Sequence, residues 1–190
     1  MSEKYDGIRV KWTGTQIYSR SGKEIKSPSF FTKSFPSFSL DGELWYMNFL
    51  RIFSNNAKRI KRGLQQESLL LTKFPLNEEL WKNATFCIFD VPDLTTEPYE
   101  SRLQFLLNFS QNKSSSFLKV IDTVQCKSKE HLNEFMKNIV LQKGEGVMLR
   151  QPGSFYETGR SLSMRKYKEY LDTEVKVEKI MLPQGFECVQ

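Results

Sequence analysis

Two segments of alternating apolar and polar residues open the chain, Ile8–Trp12 (IRVKW) and residues 16–20 (QIYSR). They are joined by Thr13-Gly14-Thr15, a short glycine-bearing connection that predicts a β-hairpin. A stretch rich in Ser, Pro and Phe, residues 27–37, reads as a loop, and the alternation resumes over 38–46 (FSLDGELWY) as a strand. The next stretch, about 47–61, predicts a helix that turns strongly basic over Lys58–Arg62, where cations suit the negative end of a helix dipole. A nearly continuous apolar run at 84–91 (ATFCIFDV) predicts a buried strand, and Pro98 opens a helix to Asn112 with Leu103, Leu106 and Leu107 on one face. Residues 117–124 (FLKVIDTV) form a further strand. Ser128, with His131 three residues on, gives a capping-box-like start to a helix whose face carries Leu132, Phe135, Ile139 and Val140. The pattern closes with strands at 145–150 and 162–168, separated by a polar loop, and a last strand near 173–180.

Short strands with helices between them, and no repeat or low-complexity tract, predict an α+β domain with largely antiparallel sheets. A length of 190 residues allows one ordinary core and a small appendage, not two full domains. An aromatic share of 13% argues for a packed interior over a disordered tail. No apolar run approaches the roughly 20 residues of a membrane helix, and MSEKYDGIRV lacks the apolar core of a signal peptide. The chain therefore reads as soluble and untargeted, with an intracellular location and no membrane partner, and a monomer is expected. Cys87, Cys126 and Cys188 are too few and too scattered for a disulfide framework, and with one histidine they make no zinc cluster. Cys87 reads as a small core filler. A formal charge of +6 favours a polyanionic partner.

Chemistry concentrates in four segments. Glu3-Lys4-Tyr5-Asp6-Gly7-Ile8-Arg9 brings a lysine, a carboxylate and an arginine to a loop-to-strand junction, with a glycine that permits close backbone approach. Leu40-Asp41-Gly42-Glu43-Leu44 and Gly144-Glu145-Gly146-Val147 each put an acidic residue beside glycine at a strand. Lys166 and Lys168 lie two apart on a strand and so share one face, as a common phosphate target requires.

In this order the segments resemble the motifs of the covalent nucleotidyltransferase superfamily, and among its members the adenylation domain of ATP-dependent DNA ligases, especially their minimal bacterial and viral forms. Lys4-Tyr5-Asp6-Gly7-Ile8-Arg9 resembles the K-x-D-G-x-R nucleophile motif, and Ser19-Arg20-Ser21-Gly22 the second motif with its ribose- and phosphate-facing arginine. Asp41-Gly42-Glu43 resembles the third motif, and Phe86–Val91 the strand whose aromatic residue, here Phe89, stacks on adenine. Glu145-Gly146-Val147 resembles the metal-binding fourth motif and Lys166-Tyr167-Lys168 the K-x-K fifth. The resemblance implies a DNA ligase adenylation-domain fold, ATP-grasp-like, over residues 1–168. It implies ATP and Mg²⁺ or Mn²⁺ as cofactors, and nicked double-stranded DNA as partner in replication, repair and recombination. Lys4, Asp6, Lys166 and Lys168 become the catalytic residues. Glu3, Arg9, Arg20, Glu43, Phe89, Lys166 and Lys168 become the nucleotide contacts, and Glu43 with Glu145 the metal ligands. Lys4 would take AMP from ATP, pass it to the 5′-phosphate of a nick and leave the break to be sealed. An amine that titrates near 10.4 is mostly protonated at neutral pH, and nearby cations are what free it for attack.

Two departures from the family pattern set expectations of their own. Only Met1-Ser2-Glu3 precede Lys4, so the adenine pocket is expected to lack part of its wall. After Lys168 come 22 residues, against the roughly 60 or more of a five-stranded OB-fold, so residues 169–190 read as a linker and first strand of a truncated C-terminal partner. Impaired activity in isolation follows from that reading. An RNA ligase or capping-type nucleotidyltransferase, and a non-catalytic DNA-end-binding remnant, stay open as alternatives. The basic run Lys58–Arg62 reads equally as a DNA contact or a solvated helix end, and the loop over residues 151–160, with Tyr156 and Arg160, as a nick contact or a mobile surface loop.

Overall fold

The computed structural model describes residues 1–46, 71, 77–112 and 115–168. The expected helix at 47–61, the basic run Lys58–Arg62, Cys188 and everything from residue 169 on lie outside the described residues.

The first hairpin forms as the alternation requires. Strand β2 (Ile8–Trp12) pairs antiparallel with β3 (Ile17–Ser19), and β3 with a two-residue strand β4 (Glu24–Ile25). On its other side β2 pairs with β5 (Leu40–Tyr46), Arg9 opposite Glu43 and Val10 opposite Gly42. Strand β5 pairs with β6 (Ala84–Asp90), the register shifting between Asp41 and Gly42. Strand β6 then runs parallel to β7 (Leu118–Val120), the one parallel pairing among the described residues, in a sheet whose described strands follow the order β4-β3-β2-β5-β6-β7. A parallel neighbour needs a crossover, and the described part of that crossover is a helix over Tyr99–Asn112. The second sheet is small: β1 (Ser2–Glu3), β8 (Val147–Arg150) and β9 (Met164–Tyr167), all antiparallel, in the order β1-β8-β9.

Period-two alternation sends Val10, Trp12, Leu40, Leu44, Phe86 and Ile88 to one face of the large sheet, all buried. Against that face pack Phe31 of α1 (Ser29–Thr32), Trp81 of α2 (Glu78–Lys82) and Leu106 of α3, the Tyr99–Asn112 helix. Phe31 is the hub: its ring lies 4.6 Å from Trp81, 5.4 Å from Phe35 and 5.4 Å from Phe117. Fully burying an aromatic or aliphatic side chain contributes about 1.5–3 kcal/mol, so this cluster holds the helices on the sheet. Residues 27–37 were expected to be loop throughout; they contain α1 because Phe31 finds Trp81, which no local pattern can show. A second cluster of Met1, Met136, Ile139 and Val147 places α4 (Lys129–Leu141) on the small sheet. That helix starts as its sequence dictates, the Ser128 hydroxyl accepting the His131 amide at 3.2 Å.

Helix α3 departs from its expected face. Leu106 is buried, but Leu107 is 38% exposed and Arg102 takes the interior place. Arg102 donates from Nε to Asp90 Oδ1 at 2.6 Å and from Nη2 to Asp90 Oδ2 at 3.2 Å, with both side chains fully buried. Arg150 of β8 donates to the same Oδ2 at 2.6 Å. One carboxylate at the end of β6 thereby ties α3 and the small sheet to the large one. Asp90→Ala is expected to lower stability by about 3–5 kcal/mol, because it strands a buried guanidinium; denaturant unfolding checks it, and a loss below 1 kcal/mol would contradict the account.

Candidate active site

The face of the large sheet opposite the main core carries the chemistry. Arg9 and Glu43 are register partners there, with Cys87 next across from Glu43. Cys87 is fully buried, and burial pushes its thiol up to about 12, which fits the core-filler reading and no nucleophilic one. Above this face passes the turn from β1 to β2, residues 4–7. The Lys4 amide donates to Gly146 O at 2.8 Å, extending the β1–β8 pairing past Glu3. The turn then presses onto β5 at Gly7, where a Cβ would meet Leu44 O at 2.5 Å and Glu43 Cγ at 2.9 Å. Only glycine lets Lys4 and Asp6 sit over Glu43.

Gly146 does the equivalent service from the other sheet. Its φ is +152°, and a Cβ there would meet Tyr167 O at 2.5 Å, so β9 can close on β8 beside Glu145. Glu145 is then shared, its Oε2 paired with Lys4 Nζ and its Oε1 with Lys168 Nζ. Burial acts to raise the Glu145 carboxyl, but the hydrogen bonds and charges of Lys168 and Lys4 outweigh it and hold the group below its usual range. Lys166 lines the same cleft as Lys168, as expected of residues two apart on a strand, while Tyr167 between them points away to hydrogen-bond Asn133 of α4 at 3.1 Å.

This open cleft, about 890 Å³, is bordered by Lys4, Asp6, Arg20, Glu145, Lys166 and Lys168. It adjoins a narrower cavity of about 290 Å³, and Lys4, Arg9, Arg20 and Glu43 border both. The narrow cavity is walled by Phe89, Tyr99, Ile121, Met148 and Met164. A largely apolar slot that opens onto a cationic cleft suits a ligand with an aromatic ring at one end and phosphates at the other. Met1, Ser2 and Glu3 also line the slot, held there by β1 and by the Val124 amide bonding Met1 O at 2.9 Å. These three residues thus form part of the slot's wall.

Every residue expected from the sequence at the site is brought to one or both cavities: Glu3, Lys4, Asp6, Arg9, Arg20, Glu43, Phe89, Glu145, Lys166 and Lys168. Several more were not foreseen. Asp41 is buried and accepts Arg9 Nε at 3.1 Å and Nη2 at 2.7 Å, and these hydrogen bonds hold the Arg9 guanidinium above its already high pKa. Arg9 in turn lies 5.6 Å above the Phe89 ring. Arg150 stacks 4.6 Å from Tyr99 in the slot wall. Asp41 stands inside a quoted motif, so a buried-charge argument could have found its partner. Nothing local marks Tyr99 or Arg150.

The loop over residues 151–160 is anchored. The Gln151 amide bonds Ser163 O at 2.7 Å, the Gly153 amide bonds the Glu100 carboxylate at 3.0 Å, and buried Arg102 donates to Ser154 O at 3.0 Å. Among the described residues no helix is long and apolar enough to cross a membrane.

Residues 1–168 match the family model of the ATP dependent DNA ligase domain. A DNA ligase of Haemophilus influenzae is 33% identical over 168 residues, 88% of this chain and 57% of that protein. Among solved structures, one described as DNA binding with a minimal scaffold, a structure–function analysis of Lig E DNA ligases, aligns with a TM-score of 0.73 at 29% identity, covering 88% of this chain and 60% of the other. The Chlorella virus DNA ligase-adenylate aligns with a TM-score of 0.67 at 22% identity over 88% of this chain and 59% of its own, a likeness of fold. The chain thus spans a little under two thirds of these relatives. The expected α+β adenylation-domain fold is borne out.

Burial pushes Glu43 up to about 7 from 4.5; Lys4 and Arg9 pull it down without prevailing, and Glu145 adds to the rise. Between those values the folded protein keeps a proton that the unfolded chain has released, so Glu43 favours folding most below pH 4.5 and progressively less as pH rises through 7. Glu43→Gln removes this dependence. Its stability relative to wild type should climb by on the order of 2 kcal/mol from pH 5 to pH 8, measured by urea unfolding; a difference independent of pH would contradict the assignment.

Proposed function

The chain belongs to the ATP-dependent DNA ligase domain family, and from that premise we propose that it performs the nucleotidyl transfer of an ATP-dependent DNA ligase. The observation that carries the reading is the convergence of Lys4, Glu145, Lys166 and Lys168 on one cleft that opens into an apolar slot. ATP would place its base in the slot beside Phe89 and its phosphates in the cleft. The Lys4 amine attacks the α-phosphorus, a P–N bond forms as the bond to pyrophosphate breaks, and the lysine keeps AMP as a phosphoramidate. AMP then passes to the 5′-phosphate of a nick in double-stranded DNA, and the adjacent 3′-hydroxyl displaces it to close the strand.

In this reading Lys166 and Lys168 meet the charge that builds on the α-phosphate. Arg9 and Arg20, which border both cavities, hold ribose and phosphate. Lys4 can attack only as a neutral amine, and in the structure it is paired with Glu145. Nucleotide phosphates entering the cleft compete for Lys168 and so alter that pairing. Glu3 and Asp6 complete the surroundings of the lysine.

A divalent cation suits the donor set. Glu43 and Glu145 offer hard carboxylate oxygens, and their charges act on one another. Among the described residues there is no cluster of three or more acidic, histidine or cysteine groups. One or two carboxylates completed by water and substrate phosphates is the usual provision for Mg²⁺, with Mn²⁺ an equivalent occupant. When bound, the ion lowers the charge on the phosphates. The same reading makes residues 1–168 the adenylation domain, with residues 169–190 leading out of it, in an intracellular protein acting as a monomer.

Incubation with ATP and Mg²⁺ should add one AMP to the chain by intact mass, and Lys4→Ala should abolish it. Lys166→Ala or Lys168→Ala should slow uptake by about 100-fold or more, Lys166→Ala with little change in melting temperature. GTP should not substitute, and nicked DNA should be sealed in preference to nicked RNA. An adduct that persists in Lys4→Ala would sink the reading.

A further inference from the structure

The narrow slot and the open cleft share Arg9, which is held by Asp41 and, through Asp41, by a tyrosine outside every motif. Asp41 is buried to 3% exposure and holds the Nε–Nη2 edge of Arg9, which leaves Nη1 without a partner among the described residues. A carboxylate has about four acceptor positions, so two bonds from Arg9 leave room for it to turn. The third bond comes from across the chain: Tyr156 Oη donates to Asp41 Oδ2 at 2.9 Å, over a separation of 115 residues. That oxygen therefore receives both Tyr156 and Arg9 Nη2. Burial, and then the Asp41 charge, push the Tyr156 phenol above its usual range, so it stays a donor.

Tyr156 can constrain Asp41 because the loop beneath it is itself held. Gly153 is bonded to Glu100 of α3, and Ser154 to Arg102, which is fully buried on Asp90. The neighbour Phe155 is 56% exposed, so successive residues of this loop point in and out. A third, smaller cavity of about 240 Å³, bordered by Arg9, Arg20, Asp41 and Tyr156, lies where the loop meets the hairpin. The loop, the buried carboxylate and the arginine form one hydrogen-bonded chain that ends at the nucleotide slot.

We infer that Tyr156 is a positioning residue for nucleotide binding: acting through Asp41, its hydroxyl aims the Nη1 edge of Arg9 at a phosphate-bearing nucleotide. This rests on the nucleotide-transfer reading above, and predicts that removing one oxygen atom weakens nucleotide binding without unfolding the protein or disabling Lys4. Preorganised donors are what a polar ligand gains from, since it need not order them on binding.

The test compares the 190-residue chain with Tyr156→Phe and Phe155→Ala in two measurements. The first is calorimetric titration with α,β-methylene-ATP and Mg²⁺, a probe that cannot transfer AMP. The second is covalent AMP uptake as a function of ATP concentration. Tyr156→Phe should weaken the probe by about tenfold, the scale of one hydrogen bond to a charged group. It should raise KM for ATP by a similar factor, and keep the rate at saturating ATP within about threefold and the melting temperature within about 2 °C. Phe155→Ala should match wild type in both measurements. Unchanged probe affinity in Tyr156→Phe overturns the inference, as does a loss that merely tracks a lowered melting temperature. If wild type binds the probe but never acquires AMP, the transfer reading fails while Tyr156 is still judged by its affinity; if wild type does not bind the probe, both fall.

Discussion

The pairing of Glu145 with two lysines holds together the parts of the chain that matter for chemistry. Lys4 and Glu145 are 141 residues apart, and Lys168 lies a further 23 on. A carboxylate between two ammonium groups brings three strands' ends to one point without leaving like charges to repel each other across an empty cleft. The surrounding features serve this meeting. Gly7 lets the lysine turn settle on β5, Gly146 lets β9 close on β8, and α4 seals the small sheet from behind.

Charge is handled differently on the two sides of the site. Toward solvent, in the cleft, cations outnumber carboxylates and await an anion. Toward the interior, each carboxylate is matched: Asp41 by Arg9 and Tyr156, Asp90 by Arg102 and Arg150. Buried charges of this kind add little net stability against apolar replacements, but losing one partner is costly, so they fix geometry. They hold the arginines of the slot wall at set angles, which packing of long flexible side chains alone would not do.

The slot owes its form to the sheet beneath it. Where the β5–β6 register shifts between Asp41 and Gly42, Asp90 is brought opposite Asp41, and Phe89 comes to line the slot. Bulges re-aim side chains in this way beside functional sites. The aromatic cluster around Phe31 packs on the other face, so the core and the site are two sides of one sheet.

Strand alternation, the hairpin at Gly14, the capped helix after Ser128 and the ordered motifs from Lys4 to Lys168 were all legible in the sequence, because each is written in residues close together along the chain. The ten candidate site residues were named from those motifs through the family resemblance, and the structure gathers them at two adjoining cavities. What it could not show were relations between distant segments. Helix α1 exists because Phe31 meets Trp81, Arg102 displaces a leucine from the core because Asp90 is there to receive it, and the loop over residues 151–160 is firm because Glu100, Arg102 and Asp41 reach it. Hydrophobic period and motif spacing are local properties of the chain, whereas the partner of a buried charge is chosen by which strands become neighbours, and that is settled only when the sheet forms.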